Sequence, residues 1–348
     1  MGPDRTPLGS GIADEGWIAV RRFRADAGPV ADVLAARVTD AWDTRRGALP
    51  PETTAWRWIH AENDALPGIR VDVWGEHLVV SLDSPSLCVL LDPLIDSLVR
   101  HAPAQSVHVG WRPEGRDPRV FPEAPGCVRG TAPGVVEVSE RGRRFLVEPA
   151  ARKDIGLFPD MRDNRAWLDP YWQDRDVLNL FAYTGAFSVF AAHGGARVVT
   201  VDLSKPALAR ARENLLLNAL DPGEVLEEDV FRVLDRFRRQ ERRFDRVILD
   251  PPGHSHGADG SWSGEQDYGR LVSAACRVIR PGGWLIAASN LGSVSRKEFQ
   301  GFLADGARKA GMTLQVIHEG SQSADFPAAV HFPEARYLKF VVAVVRGL

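Results

Sequence analysis

From about residue 150 the chain alternates short apolar runs with amphipathic stretches. Val177-Leu178-Asn179-Leu180-Phe181 is apolar enough to be buried on both faces and predicts a strand over 177–181, followed by a helix over 186–193. The same rhythm predicts strand 197–201 and helix 205–218, strand 224–227 and helix 230–240, and strand 246–250 and helix 264–279. Gly282-Gly283 then leads into strand 284–288, a helix near 296–310, strand 313–318 and a last apolar run over 337–345. Repeated βα units of this kind build an α/β fold with a mostly parallel, doubly wound sheet.

The first part of the chain reads differently. Residues 1–50 are weakly patterned: Trp17–Val20 predicts one strand, 31–46 a helix, and Leu49-Pro50-Pro51 a break, so 1–50 is taken as an N-terminal extension. Residues 51–149 read as a small α+β domain and 150–348 as the large domain. In the small domain, 69–73 and 77–82 alternate as strands around Trp74-Gly75-Glu76. Asp92-Pro93 predicts a capped helix start, with Leu94, Ile95, Leu98 and Val99 as its apolar stripe. Val107–Val109 is a short strand, 112–134 a Pro/Gly-rich loop, and 135–138 with 145–148 a hairpin around Arg141-Gly142.

Composition narrows the function classes. The 348 residues are 44% hydrophobic and 26% charged, ordinary for a globular chain of roughly two domains. A net charge of −3 gives no global pull on nucleic acid, so any such binding needs a local patch. Three cysteines, Cys88, Cys127 and Cys276, share no metal-ligand spacing and suggest a reducing, cytoplasmic setting rather than a disulfide framework. No apolar run reaches bilayer length and no signal-peptide core is visible, so no membrane partner is expected.

The candidate chemistry sits where strands end. Gly185 lies at the turn from strand to helix, where a missing Cβ lets backbone approach a ligand; a tight packing turn is the plainer reading. Asp202 ends the next strand, where a carboxylate can accept from ribose hydroxyls. Capping of helix 205–218 competes for Asp202, although Ser204 suits that role better. Asp229 can take an adenine amino group or cap the following helix. Asp250-Pro251-Pro252-Gly253 follows the fourth strand, and its two prolines fix φ and remove two N–H donors beside a substrate. Upstream, a guanidinium of Gly156-Leu157-Phe158-Pro159-Asp160-Met161-Arg162-Asp163-Asn164-Arg165 can pair with a carboxylate, with an interdomain salt bridge as the plainer reading. Trp262 and Tyr268 are candidates for stacking a base, with sheet-edge packing the rival for Tyr268. Arg232 and Arg236, on a helix that also carries Arg239 and is followed by Arg243, can meet phosphates or simply form a solvated face. His254 and His256 lack the further ligands of a metal site, and no metal is expected.

These segments resemble the bacterial large-subunit ribosomal RNA methyltransferase family that contains cytosine-C5 and guanine-N7 enzymes. Its Gly-x-Phe-x-Asp-x-Arg-x-x-Arg, Asn-x-Phe-x-Tyr-Thr-Gly, Val-Asp-x-Ser and Asp-Pro-Pro motifs occur in order here, starting at Gly156, Asn179, Val201 and Asp250. The resemblance covers about residues 55–348, including Arg336–Phe340 in the last strand. It implies a Rossmann-like, class I methyltransferase domain with a seven-stranded sheet, S-adenosylmethionine as cofactor and ribosomal RNA as partner. It implies cofactor contacts at Phe158, Asp160, Arg162, Phe181, Tyr183, Gly185, Asp202, Asp229 and Asp250. Residues 1–50 look too short for the N-terminal RNA-binding domain of many members.

One departure bears on chemistry. Cytosine C5 becomes nucleophilic only after a thiolate adds to C6. The C5 members carry Ser-Cys after the fifth strand, and this chain has Ser289-Asn290. Ser289-Asn290 and Gly156-Leu157-Phe158 are more similar to the guanine-N7 branch, while the C-terminal strand is more similar to the C5 branch. The reading is a ring nitrogen such as guanine N7, with Asp250, Pro251 and Asn290 as catalytic candidates and Asp250 and Asn290 holding the base edge. A methyltransferase for a small molecule or protein, a cofactor-binding relative without activity, and a nicotinamide dehydrogenase are the rivals. A monomer or homodimer is expected.

Overall fold

A computed structural model describes residues 8–14, 18–26, 28–112, 121, 123–151, 155–257 and 260–348. The chain divides into two compact units. One comprises 1–142, 146–155 and 324–335, and the other 143–145, 156–323 and 336–348.

In the first unit β1 (Ser10–Ala13) pairs antiparallel with β2 (Val20–Arg24), followed by α1 (Ala31–Arg46). The strand expected at Trp17–Val20 starts at Val20 instead, and Trp17 lies outside the described residues. β3 (Ala55–His60), β4 (Ile69–Trp74), β5 (His77–Leu82), β6 (Ser106–Trp111) and β7 (Gly126–Gly130) form one sheet in chain order. α2 (Leu91–His101) makes the crossover between β5 and β6, the one parallel pair of this sheet. Leu34, Val38 and Ala41 of α1 share a core with Trp58, Ile69, Val71, Val80, Leu94 and Leu98. Helix α1 therefore packs into this core.

Two further expectations change here. Asp92 does not cap α2: the helix starts at Leu91 with no side-chain cap, because a 3-10 turn over Pro85–Leu90, capped by Ser84, runs straight into it. The loop predicted for 112–134 contains β7, a glycine-bounded edge strand too exposed to alternate. β8 (Val136–Glu140) and β9 (Arg143–Val147) form the predicted hairpin, turning through left-handed Arg141 (φ +50°) and Gly142 (φ +79°).

The second unit is the doubly wound sheet. Its elements are α3 (Arg162–Leu168), β10 (Asp176–Leu180), α4 (Ala186–His193), β11 (Arg197–Asp202), α5 (Lys205–Leu217), β12 (Glu224–Glu227), α6 (Val230–Arg239) and β13 (Phe244–Leu249). An antiparallel pair, β14 (His254–Gly257) and β15 (Gly260–Ser263), follows β13. α7 (Gly264–Cys276), β16 (Ile279–Ser289), α8 (Arg296–Lys309), β17 (Met312–Gly320) and β18 (Lys339–Gly347) complete it. The seven strands lie in the order β12-β11-β10-β13-β16-β18-β17. β10 to β13, β11, β12 and β16 are parallel, and β18 runs antiparallel to both its neighbours.

The strands alternate between two cores. Leu178, Leu180, Val201, Val247, Leu249 and Leu285 meet α6, α7 and α8 on one face. Val177, Val198, Ile248 and Ile286 meet Leu168, Phe187 and Ala191 on the other. Each fully buried aliphatic chain is worth roughly 1.5–3 kcal/mol, which makes this sheet the rigid part of the unit. Asn179 breaks the apolar pattern of β10 for a reason: its amide donates to Ser188 Oγ at 2.9 Å, and Ser188 Oγ lies 2.8 Å from Thr200 Oγ1. This buried chain ties α4 to β10 and β11 and fixes the turn between them.

Candidate active site

Strand order reverses between β10 and β13. The crevice beyond the carboxyl ends of such a pair is where open α/β sheets bind ligands. Register places the candidate residues there together. Leu180 pairs with Val201 on one side and Leu249 on the other, so Phe181, Asp202 and Asp250 follow on adjacent strands. Leu249 in turn pairs with Ala287, so Ser289 and Asn290 emerge at the same end.

The turn after β10 is strained. Phe181 (φ +56°), Tyr183 (φ +50°) and Gly185 (φ +77°) are all left-handed. Non-glycine residues in that region cost on the order of 1–3 kcal/mol each and cluster at ligand sites. The surroundings hold them there: the Tyr183 N–H donates to Asp202 Oδ2 (2.8 Å), Thr184 Oγ1 to the Gly156 carbonyl (2.6 Å), and Asn214 Nδ2 to the Thr184 carbonyl (2.9 Å). Asp202 Oδ1 accepts from the Ser204 N–H at 2.8 Å, while the Ser204 hydroxyl caps α5. Asp202 therefore braces the turn and leaves the helix cap to Ser204.

Gly185 has a packing reason as well as a φ reason. A Cβ there would lie 2.9 Å from Ala211 Cβ of α5. Gly185→Ala is expected to lower stability by about 1–3 kcal/mol through φ strain and overpacking. Denaturant melts compared with the parent protein check this.

Aromatic rings stand at the mouth. Phe158 is 57% exposed, and its ring lies 5.3 Å from that of Tyr183. Asp160 accepts from the Tyr337 hydroxyl at 2.5 Å through Oδ2, and its carbonyl accepts from the Ser323 N–H at 2.8 Å. Arg162 and Arg165 are both buried in α3, and Arg165 Nη2 donates to the Phe158 carbonyl at 2.9 Å. Asp229 Oδ1 accepts from the Arg232 N–H at 3.0 Å and caps α6.

Asp250 is the electrostatic centre. The residue keeps some accessible surface, but its carboxyl sits in dense surroundings. Burial pushes it up to about 7, the Asp160 charge adds to the rise, and Arg165 opposes it. Beneath it, Tyr268 is 1% exposed and donates to the Ala288 carbonyl at 2.7 Å. Its ring meets Phe299 edge-on at 5.0 Å. Tyr268 cannot stack a base: it belongs to the inward stripe of α7 with Leu271, Val272, Ala275 and Cys276.

The remaining expectations divide. Pro251 is buried and Asn290 exposed. Arg236 pairs with Glu228 at 2.6 Å, and Arg232 is exposed on α6. The side chains of Trp262, His254 and His256 lie outside the described residues. Cys276 is fully buried, and desolvation pushes its thiol up to about 12; Cys88 and Cys127 belong to the other unit. Sequence reasoning had Arg165 as one of the candidate guanidinium groups and passed over Tyr337 and Lys339. The signal for Lys339 was a charge inside the apolar run Leu338-Lys339-Phe340-Val341-Val342.

Fold and family match together define an S-adenosylmethionine-dependent methyltransferase. The family profile described as S-adenosylmethionine-dependent methyltransferase matches residues 99–340. Ribosomal RNA large subunit methyltransferase I from Alteromonas mediterranea is 33% identical over 299 residues, 85% of this chain and 75% of the relative. The protein of that name from Shewanella amazonensis is 32% identical over 349 residues, 97% of this chain and 87% of the relative. The chain belongs to this methyltransferase family. Its fold is similar to that of a methyltransferase crystallised with SAH, at TM-score 0.86 and 23% identity over 97% of this chain and 88% of that one. A SAM-dependent methyltransferase from Streptococcus mutans gives TM-score 0.84 at the same identity and coverage. Among the described residues, no helix is long and apolar enough to cross a membrane.

Proposed function

We propose that this chain methylates a base of large-subunit ribosomal RNA at a ring nitrogen, guanine N7 rather than cytosine C5. The observation that carries the choice of atom is the thiol inventory. Cys276, the single cysteine of the sheet unit, is sealed in its core with its thiol held protonated. Addition to cytosine C6 requires a thiolate at the base, and among the described residues of the sheet unit no thiol stands at the carboxyl ends of the strands. The names of the relatives support ribosomal RNA as the substrate.

The residues suit the cofactor. The Phe158 and Tyr183 rings offer an exposed aromatic surface for adenine, and Asp229 lies at the end of β12 for its amino group. Asp202 is placed for the ribose, with Phe181 and Gly185 shaping the backbone beside it. Asp160, Arg162 and Asp250 face the methionine portion in this reading. When bound, the cofactor supplies an electrophilic methyl group on a sulfonium.

A ring nitrogen attacks with its lone pair, so no protein base has to remove a proton first. The chain's task is to hold the base in line and dry. Asp250 and Asn290 read the base edge, and Pro251 stiffens the rim beside them. Trp262 and Arg232 are the proposed RNA contacts outside the crevice. A phosphate at Arg236 would have to displace Glu228.

A variant combining Cys88→Ser, Cys127→Ser and Cys276→Ala is expected to keep methyl transfer to ribosomal RNA within about threefold, at a cost of about 1–2 kcal/mol for the core cavity. Transfer of labelled methyl from S-adenosylmethionine measures it. Loss of transfer in a folded, cofactor-binding variant would contradict the nitrogen assignment.

A further inference from the structure

The end of β16 is held by a side chain that the proposed chemistry does not use. Lys339, in β18, is register partner to Ser289 and is 4% exposed. Its ammonium donates to the Leu291 carbonyl and, at 2.9 Å, to the Tyr337 carbonyl. Among the described residues no carboxylate pairs with it. Burying a lysine to bond two carbonyls costs desolvation that a methionine would avoid, so packing alone does not account for it. Burial, with Arg296 nearby, pulls the ammonium down to about 8.

What Lys339 holds is informative. Leu291 follows Asn290, and its side chain is wedged against Gly253 of the Asp250–Gly253 loop and Gly264 at the start of α7. A Cβ on Gly253 or on Gly264 would lie 2.7 Å from its methyl groups. Those glycines are themselves bonded, Gly264 N–H to the Gly253 carbonyl at 2.9 Å. On the opposite side, Tyr337 donates to Asp160. One lysine thus connects the Asn290 turn, the Asp250-Pro251-Pro252-Gly253 loop and Asp160.

We propose that Lys339 is a positioning residue: by fixing Leu291 between Gly253 and Gly264, it sets the spacing of Asn290 against Asp250 and makes the two loops one rigid rim. The consequence for catalysis rests on the base-methylation reading; the rigidity of the rim does not.

The test uses the full chain with Lys339→Met, which keeps most of the volume, and Leu291→Ala as a second variant should the first fail to fold. Hydrogen exchange is followed at the Leu291, Val294 and Gly264 amides. In Lys339→Met all three are expected to exchange at least tenfold faster, with β10 and β11 unchanged. S-adenosylmethionine affinity stays within about threefold while kcat for transfer to ribosomal RNA falls about tenfold or more, the scale of a sub-ångström misplacement. Leu291→Ala is expected to speed Gly264 exchange in the same way. Unchanged exchange at Gly264 in a folded variant, or loosening of the Asn290 turn alone, overturns the proposal. If the parent protein transfers nothing to RNA while the exchange results hold, the RNA reading fails and the positioning role stands.

Discussion

Asp250→Asn is expected to give a protein that is more stable at neutral and alkaline pH and nearly inactive. The folded carboxyl is raised to about 7, well above the unfolded value. Between pH about 4 and about 7 the folded chain keeps a proton that the unfolded chain has released. Stability linked to this group is therefore full at low pH and lost as pH rises through 7. Asparagine has no such charge to bury. The variant should match the parent near pH 4, gain on it up to pH 7, and hold a constant advantage of about 1–3 kcal/mol above that, after allowance for the partial exposure of the residue. Transfer is expected to fall about 100-fold or more, because the base edge loses the carboxylate acceptor proposed at Asp250. Chemical denaturation at pH 4, 6 and 8 with single-turnover assays measures both. Equal destabilisation at every pH would show that the carboxyl is not desolvated.

Asp202→Ala should act on cofactor affinity. The substitution removes the acceptor of the Tyr183 and Ser204 N–H groups and the carboxylate proposed for the ribose. Hydrogen bonds to charged groups are worth about 1.5–3 kcal/mol each, so the dissociation constant for S-adenosylmethionine is expected to rise about 100-fold. The turn holding Phe181 and Tyr183 left-handed loses its brace, and a drop in Tm of about 2–6 °C should accompany the loss. Titration calorimetry and thermal melts separate the two effects. Unchanged affinity with a lowered Tm would reduce Asp202 to a structural role.

The sheet was legible because it is buried on both faces. β10, β11 and β13 are mostly apolar runs, and α4 was bounded by Gly185 and Gly194. The crevice was legible because acids at strand ends survive as isolated charges after apolar runs. What escaped had physical causes. β7 is short, glycine-bounded and mostly exposed, so it carries no period. α2 inherits its start from a 3-10 turn and leaves Asp92 uncommitted. Tyr268 was a candidate for stacking a base, yet Leu271, Val272, Ala275 and Cys276 place it in the buried stripe of its helix. Lys339 was visible as an anomaly, but its role depends on a carbonyl 48 residues away in sequence, which no local pattern encodes.

The most direct test supplies S-adenosylmethionine with a labelled methyl to large-subunit ribosomal RNA from cells lacking this protein, followed by nucleoside analysis. The account predicts label in a ring-nitrogen product, 7-methylguanosine. Label in 5-methylcytidine, or none in RNA despite saturated cofactor binding, would contradict it.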